Sequence, residues 1–225
     1  RTKDASTTLT ASSSLTTDNV SSPYAVVAGS PTQIITLLPG QSLVEGAANL
    51  ASAISNSPTA QTVDQDFTID VYAVDNQYNL TDSDSVTSIN ISTSDANDTD
   101  PSSQSLVNGH QSFTINNKTA GSGLTIAPDS GGTYSDFSSE GYVLNPGAPS
   151  KLIAIFDGQT HHPGQSLLVN AVTGTPSNQT AGVPFNITVH GVDDYFNIIT
   201  SDSSTNVTLV TSDANDTDPA TNTLS

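Results

Sequence analysis

Residues Phe67–Val74 read FTIDVYAV. Phe67, Ile69, Val71 and Ala73 alternate with Thr68, Asp70 and Tyr72, so the apolar side chains share one face only if the backbone is extended. A period of two with β-branched and aromatic residues predicts a half-buried strand. The longer stretch FTIDVYAVDNQYNL (Phe67–Leu80) returns without a gap as FNITVHGVDDYFNI (Phe185–Ile198), 118 residues on. At the same offset Gly29, Pro31, Gly46 and Pro58 fall on Gly147, Pro149, Gly164 and Pro176. The chain is a tandem repeat, and that governs every other reading.

Residues 147–225 match residues 29–107, whereas 1–28 resemble the end of a repeat once a two-residue shift is allowed. The sequence therefore divides into 1–28, terminal strands of a preceding repeat; 29–146, a complete repeat; and 147–225, an incomplete repeat expected to be finished by strands of a neighbouring copy. Further strands are predicted at 32–38, 87–93, 111–116, 123–128 and 141–146, with matching candidates at 7–12 and 24–29. Gly, Pro, Asn and Asp clusters punctuate them. The Ala-rich segment 44–57 predicts a short helix or ordered insertion. Its counterpart, 162–175, shows no helical stripe, so the region is expected to be a variable loop.

Composition narrows the function classes. The chain has 225 residues, 34% apolar content and no Cys, Met or Trp. That suits small sandwich cores and excludes disulfide or thiolate chemistry. With 22 acidic against 4 basic residues the formal net charge is −18, which repels nucleic acid and anionic lipid. No apolar run approaches the ~20 residues of a bilayer span. No apolar signal-peptide core follows Arg1, so the sequence is expected to be a mature segment.

Short strands with turns at regular spacing predict an all-β fold of tandem immunoglobulin-like β-sandwiches with antiparallel strands. The segments NPGAPSKLIAIF, TPSNQTAGVPFNITVHGVDDYFN and TLVTSDAND resemble the tandem bacterial immunoglobulin-like repeats of invasin- or intimin-type adhesins and large surface or fibre proteins. The resemblance spans nearly the whole repeat and implies an extracellular or cell-surface stalk without an active site.

The octapeptide SDANDTDP occurs twice, at Ser94–Pro101 and Ser212–Pro219. Two readings are open. Asx side chains and Pro make a stiff turn. Alternatively Asp95, Asp98 and Asp100, with Asp75 and Asn79, offer the oxygens calcium requires, repeated at Asp213, Asp216, Asp218, Asp193 and Asn197 beside Asp194. The octapeptide also holds glycosylation sequons at Asn97 and Asn215; others begin at Asn19, Asn79, Asn90, Asn117, Asn178, Asn186 and Asn206. Strand alternation predicts that Asn90, Asn186 and Asn206 face solvent.

Other chemistry is weakly signalled. His161-His162 lacks a third ligand. Ser residues with His110 or His190 allow a triad on paper, but no nucleophile elbow frames them. The expected function is non-catalytic: a structural component of an extracellular fibre built head to tail. Its partners are copies of itself, joined covalently in a longer array or by strand complementation. The alternative is an adhesin module that binds surface glycans or host proteins through its variable loops.

Overall fold

The computed structural model describes residues 2–14 and 19–224. The fold is nearly all β, and antiparallel pairing dominates. The N-terminal segment holds β1 (Asp4–Thr7), β2 (Thr10–Ala11), β3 (Asn19–Val20) and β4 (Tyr24–Val26). Residues 29–146 hold β5 (Gln33–Leu37), β6 (Ser42–Leu43), α1 (Leu50–Ala53), β7 (Ile54–Ser55), β8 (Gln61–Thr62), β9 (Phe67–Val74), β10 (Ser88–Thr93) and β11 (Gln104–Ser105). They continue through β12 (His110–Ile115), β13 (Gly121–Leu124), β14 (Ile126–Asp129), β15 (Ser135–Phe137) and β16 (Tyr142–Asn145). The remainder holds β17 (Lys151–Phe156), β18 (Gln159–His161), α2 (Leu168–Ala171), β19 (Val172–Gly174), β20 (Ile187–Val192), β21 (Asn206–Val207) and β22 (Asn222–Thr223).

The FTIDVYAV strand, β9, is central. It pairs antiparallel with β5 and with β12 in a sheet of order β12-β9-β5-β15. Its alternation places Phe67, Ile69, Val71 and Ala73 in one core, shared with Ile89 and Ile91 of β10, Phe113 of β12, Ile126 of β14 and Leu144 of β16. That core lies between the four-stranded sheet and two three-stranded ones, β11-β10-β14 and β13-β16-β8. The opposite face of β5 and β9 is also covered. Ile35, Leu37 and Val74 pack with Ala53 of α1 and with Tyr78 in a second, smaller core.

Residues 147–224 reproduce part of this plan. β17 pairs with β20 from Lys151↔Val192 to Phe156↔Ile187, the β5–β9 register shifted by 118. The smaller core returns as Ile153, Ala171, Val192 and Phe196. The larger one does not. Strands equivalent to β12 through β16 are absent from 147–224, and positions that are buried in 29–146 lie open. Phe185 is 48% exposed where Phe67 is 7%, and Leu152 is 49% exposed where Ile34 is 0%.

The N-terminal segment reproduces the β13–β16 pairing of residues 29–146. β1 pairs with β4 through Asp4↔Val26 and Thr7↔Tyr24, across a bulge. β13 pairs with β16 through Gly121↔Leu144 and Leu124↔Tyr142, also across a bulge. Ser21 receives and donates the same bonds with Leu9 (2.9 and 2.8 Å) as Ser139 does with Ile126 (3.0 and 2.8 Å).

Several expectations need correction. Residues 44–57 and 162–175 are not variable in structure: each forms a hairpin closed by one helical turn, β6-α1-β7 and β18-α2-β19. Asn49 caps α1 by accepting from Ser52 N, and the Ser52 hydroxyl returns the cap. α2 has no side-chain cap; it is held by burial of Ala171, the counterpart of Ala53. Not every pairing is antiparallel, because β15 joins β5 and β16 joins β8 in parallel. The strand expected at 123–128 breaks at Thr125, next to the bulge where Gly123 adopts φ +73. The strand expected at 7–12 divides between β1 and β2.

Candidate functional site: the junction between repeats

Both recurrent acidic turns lie where one repeat meets the next. In the turn 75–79 the Asp75 carboxylate accepts from the N–H groups of Gln77 (2.8 Å) and Asn79 (3.0 Å), from the Asn79 amide, and from Gly29 N (2.8 Å) of the linker. Asp193 does the same with Tyr195, Asn197 and Gly147. Tyr78 and Phe196 sit at φ +60 yet are buried in the smaller core. Such a backbone costs an aromatic residue about 1–2 kcal/mol, which burial and the carboxylate bonds offset.

Holding the Asn amide by its nitrogen leaves Oδ1 for the neighbouring repeat. Asn197 Oδ1 accepts from Ala120 N at 2.8 Å, and its Nδ2 donates to Lys118 O at 2.9 Å. In the turn 75–79, Asn79 Oδ1 accepts from Lys3 N at 3.1 Å. Glycine completes the seat. A Cβ on Gly164 (φ +81) would lie 2.0 Å from Thr119 Oγ1; on Gly46 (φ +75) it would lie 2.0 Å from Thr2 Oγ1. Thr2-Lys3 thus meets residues 29–146 as Thr119-Ala120 meets residues 147–224. One contact is built twice.

The octapeptide forms the other side of this junction. Buried Asp95 accepts from Lys118 N (2.6 Å), Thr119 N (2.8 Å) and Thr119 Oγ1 (2.6 Å), fixing the loop that inserts into the next repeat. Asp98 accepts from Thr93 Oγ1 and from the amide of fully buried Asn117, which in turn accepts from Tyr142 OH. Asp100 accepts from Thr93 N. The Asn97 amide donates to Thr119 Oγ1 and its Oδ1 accepts from Gln165 across the junction.

Electrostatics follow this bonding. Burial alone would raise Asp75 and Asp95, but the N–H and side-chain donors outweigh it and hold both below the ordinary carboxylate value. Asp98 is raised, chiefly by burial and also by the charges of Asp95 and Asp100. The cations gather here as well. Lys118 binds Asp64 and lies 4.7 Å over the Tyr195 ring, and Lys151 lies over Phe196 and binds Asp194 O. Lys3 pairs with Glu45 at 2.8 Å.

The turn reading of the octapeptide is what this geometry supports. The oxygens of Asp75, Asp95 and Asp193 accept several N–H or O–H donors each, as capping carboxylates do. Among the described residues no three His, Asp or Glu side chains gather in a group that could hold a metal. In the second octapeptide, Asp213, Asp216 and Asp218 keep their local bonds to Asn215 N, Thr211 Oγ1 and Thr211 N but stand exposed.

Sequon asparagines separate by burial. Asn19, Asn90, Asn97, Asn178, Asn186, Asn206 and Asn215 are exposed. Asn79 and Asn117 are buried and hydrogen-bonded, so a glycan on either is incompatible with this fold. Around His110, Asp70 Oδ1 bonds both His110 Nε2 (2.8 Å) and Ser112 Oγ (2.6 Å), with Ser112 Oγ 3.5 Å from His110 Nε2, so the imidazole does not stand between this Ser and this Asp. His161 bonds Phe196 O and stacks 6.2 Å from His190, while His162 bonds Thr173.

Sequence reasoning found both acidic turns but missed their shared role. The available signal was that Gly46/Gly164 and Asn79/Asn197 keep the same period as the turns. Neither the family models nor the curated proteins compared with this chain gave a match.

Proposed function

We propose that the chain is a load-bearing segment of an extracellular stalk or fibre, made of immunoglobulin-like sandwiches stacked head to tail at a constant step, without a catalytic role. The doubly built junction carries this reading: Lys3 N on Asn79 and Ala120 N on Asn197, each beside a glycine seat filled by threonine. A contact that recurs with the period of the sequence and does not close on itself generates a filament. The acidic surface and exposed sequons suit a hydrated position outside the cell, as does the resemblance to bacterial surface repeats. The adhesin alternative would place its contacts on the 44–57 and 162–175 segments, which are ordered hairpins.

Spin labels at exposed Ser92 and Thr208 test the reading by pulsed dipolar spectroscopy. A rod predicts one narrow distance distribution that broadens in Asn197→Ala. A broad distribution in the unaltered chain would show beads on a flexible string and overturn it.

A further inference from the structure

The turn 193–197 holds the preceding repeat through Asn197, and its Phe196 keeps a left-handed backbone (φ +60) while its ring is buried in the smaller core. In residues 29–146 the margin of the corresponding core is packed by Leu43 and Tyr72. One repeat on, both positions are histidine, His161 and His190. They lie on β18 and β20, elements that each repeat contains as β6 and β9. The two rings are nearly parallel, 27° apart, with centroids separated by 6.2 Å. His161 Nε2 bonds Phe196 O at 2.8 Å, which fastens the imidazole to the turn. A carbonyl only accepts, so Nε2 carries the proton and Nδ1 is the nitrogen left to titrate.

We propose that His161 and His190 form a proton-operated release for the junction: protonation of the pair loosens the turn 193–197 and frees the preceding repeat from its fixed angle. The inference rests on the stacked-repeat reading above and assigns regulation to that junction. A neutral imidazole can replace Leu43 or Tyr72 against an apolar core, whereas a pair of imidazolium ions there is costly. Once Phe196 loses its burial, nothing offsets its strained backbone. Among the described residues, the charges facing the pair are mostly of the same sign. His162 follows on the same strand, and Lys151 of β17 lies 4.6 Å over the Phe196 ring. Lys118 approaches from across the junction, 4.7 Å over Tyr195 and paired with Asp64. The carboxylates of the turn are engaged: Asp193 by Tyr195 N, Asn197 N and Gly147 N, and Asp194 by Lys151 at 3.4 Å. β19 presents the Thr173 hydroxyl, which bonds His162. Burial, then the neighbouring His190 and His162, outweigh the Phe196 bond and hold His161 below its ordinary 6.5. A folded value below the unfolded one means that the fold favours the neutral ring, so this packing is complete above pH 6.5 and is lost as pH falls below it. The first junction lacks the device. Its residues at these places are Leu43, Val44 and Tyr72, and the one histidine of residues 29–146, His110, lies 2.8 Å from the Asp70 carboxylate, where its charge is met.

Spin labels at Ser92 and Thr208, read at about pH 7.5 and about pH 5, test this. The unaltered chain should give a narrow distance distribution at the higher pH that broadens at the lower and narrows again on return. His161→Leu with His190→Tyr, which restores the residues of the first repeat, should stay narrow at both values. So should His161→Gln, which keeps a donor for Phe196 O and cannot titrate. A narrow distribution at the higher pH also shows that each variant is folded. An unaltered chain equally narrow at both values overturns the release and leaves the rod reading standing. Equal broadening in both variants does the same, because it passes the effect to another group such as Asp98. A distribution broad at both values in the unaltered chain overturns the rod reading and the release with it.

Discussion

Asp84 shows how single carboxylates support this fold. It is buried, yet hydrogen bonds from the Thr87 and Tyr134 side chains and from Val86 and Thr87 N–H outweigh burial and hold its pKa at about 2. A folded value below the unfolded 3.8 means that its stabilisation is complete above pH 4 and is lost as pH falls toward 2. Asp75 and Asp95 act in the same direction. Asp98, whose value is raised, contributes with the opposite sign and favours the fold on the acid side. Asp84→Asn should cost about 2 kcal/mol at pH 7 and flatten the fall in melting temperature between pH 4 and pH 2; an unchanged acid limb would assign acid unfolding to other groups. Burial also orders the sequons. If the native protein carries glycans, peptide mapping should place them among exposed sites such as Asn90, Asn186 and Asn206 and leave Asn79 and Asn117 bare.

At the level of elements, β9 and its repeat β20 have the same alternation and different surroundings. β9 is covered on both faces, with Ile69 and Val71 in the larger core and Val74 in the smaller one. β20 has only the smaller core, through Val192. Equivalent substitutions should therefore have unequal effects. Ile91→Ala removes a fully packed side chain and should cost about 2–5 kcal/mol. Leu209→Ala, at the same position one repeat on, is only half-buried and should cost well under half of that. Denaturant melts of the two variants make the comparison. At the junction, Gly164→Ala forces a methyl group against Thr119 and Asn97 at a left-handed backbone position. It should loosen the inter-repeat contact, read as faster proteolysis between residues 116 and 120, while the smaller cores stay intact.

On the scale of the whole molecule, strong self-repulsion opposes stacking. A formal charge of −18 acts over about 10 Å at 0.1 M salt and about 3 Å at 1 M. If separate copies stack, added salt should increase association by screening like charges. Association that instead weakens steadily with salt would mean that charge pairing between copies dominates. Within this acidic surface, Lys3, Lys118 and Lys151 all lie at the junction turns, so attraction is concentrated where repeats meet and repulsion is spread along the sides.

The sequence by itself determined the repeat, the strand alternation of Phe67–Val74 and Phe185–Val192, and the division at residues 28 and 146 as an expectation, because side-chain period and residue spacing are local properties. It also marked both acidic turns as special. Tertiary structure decided what those turns do. Asp75 and Asn79 are four residues apart, but their partners Gly29 and Lys3 lie 46 and 76 residues away. Asp95 reaches Thr119 across 24 residues. A carboxylate that binds calcium and one that caps distant amides look the same in one dimension. They differ only in which donors the fold brings to them: here Lys118 and Thr119 N–H reach Asp95 and the linker's Gly29 N–H reaches Asp75, while the adjoining repeat donates to Asn79 and Asn197.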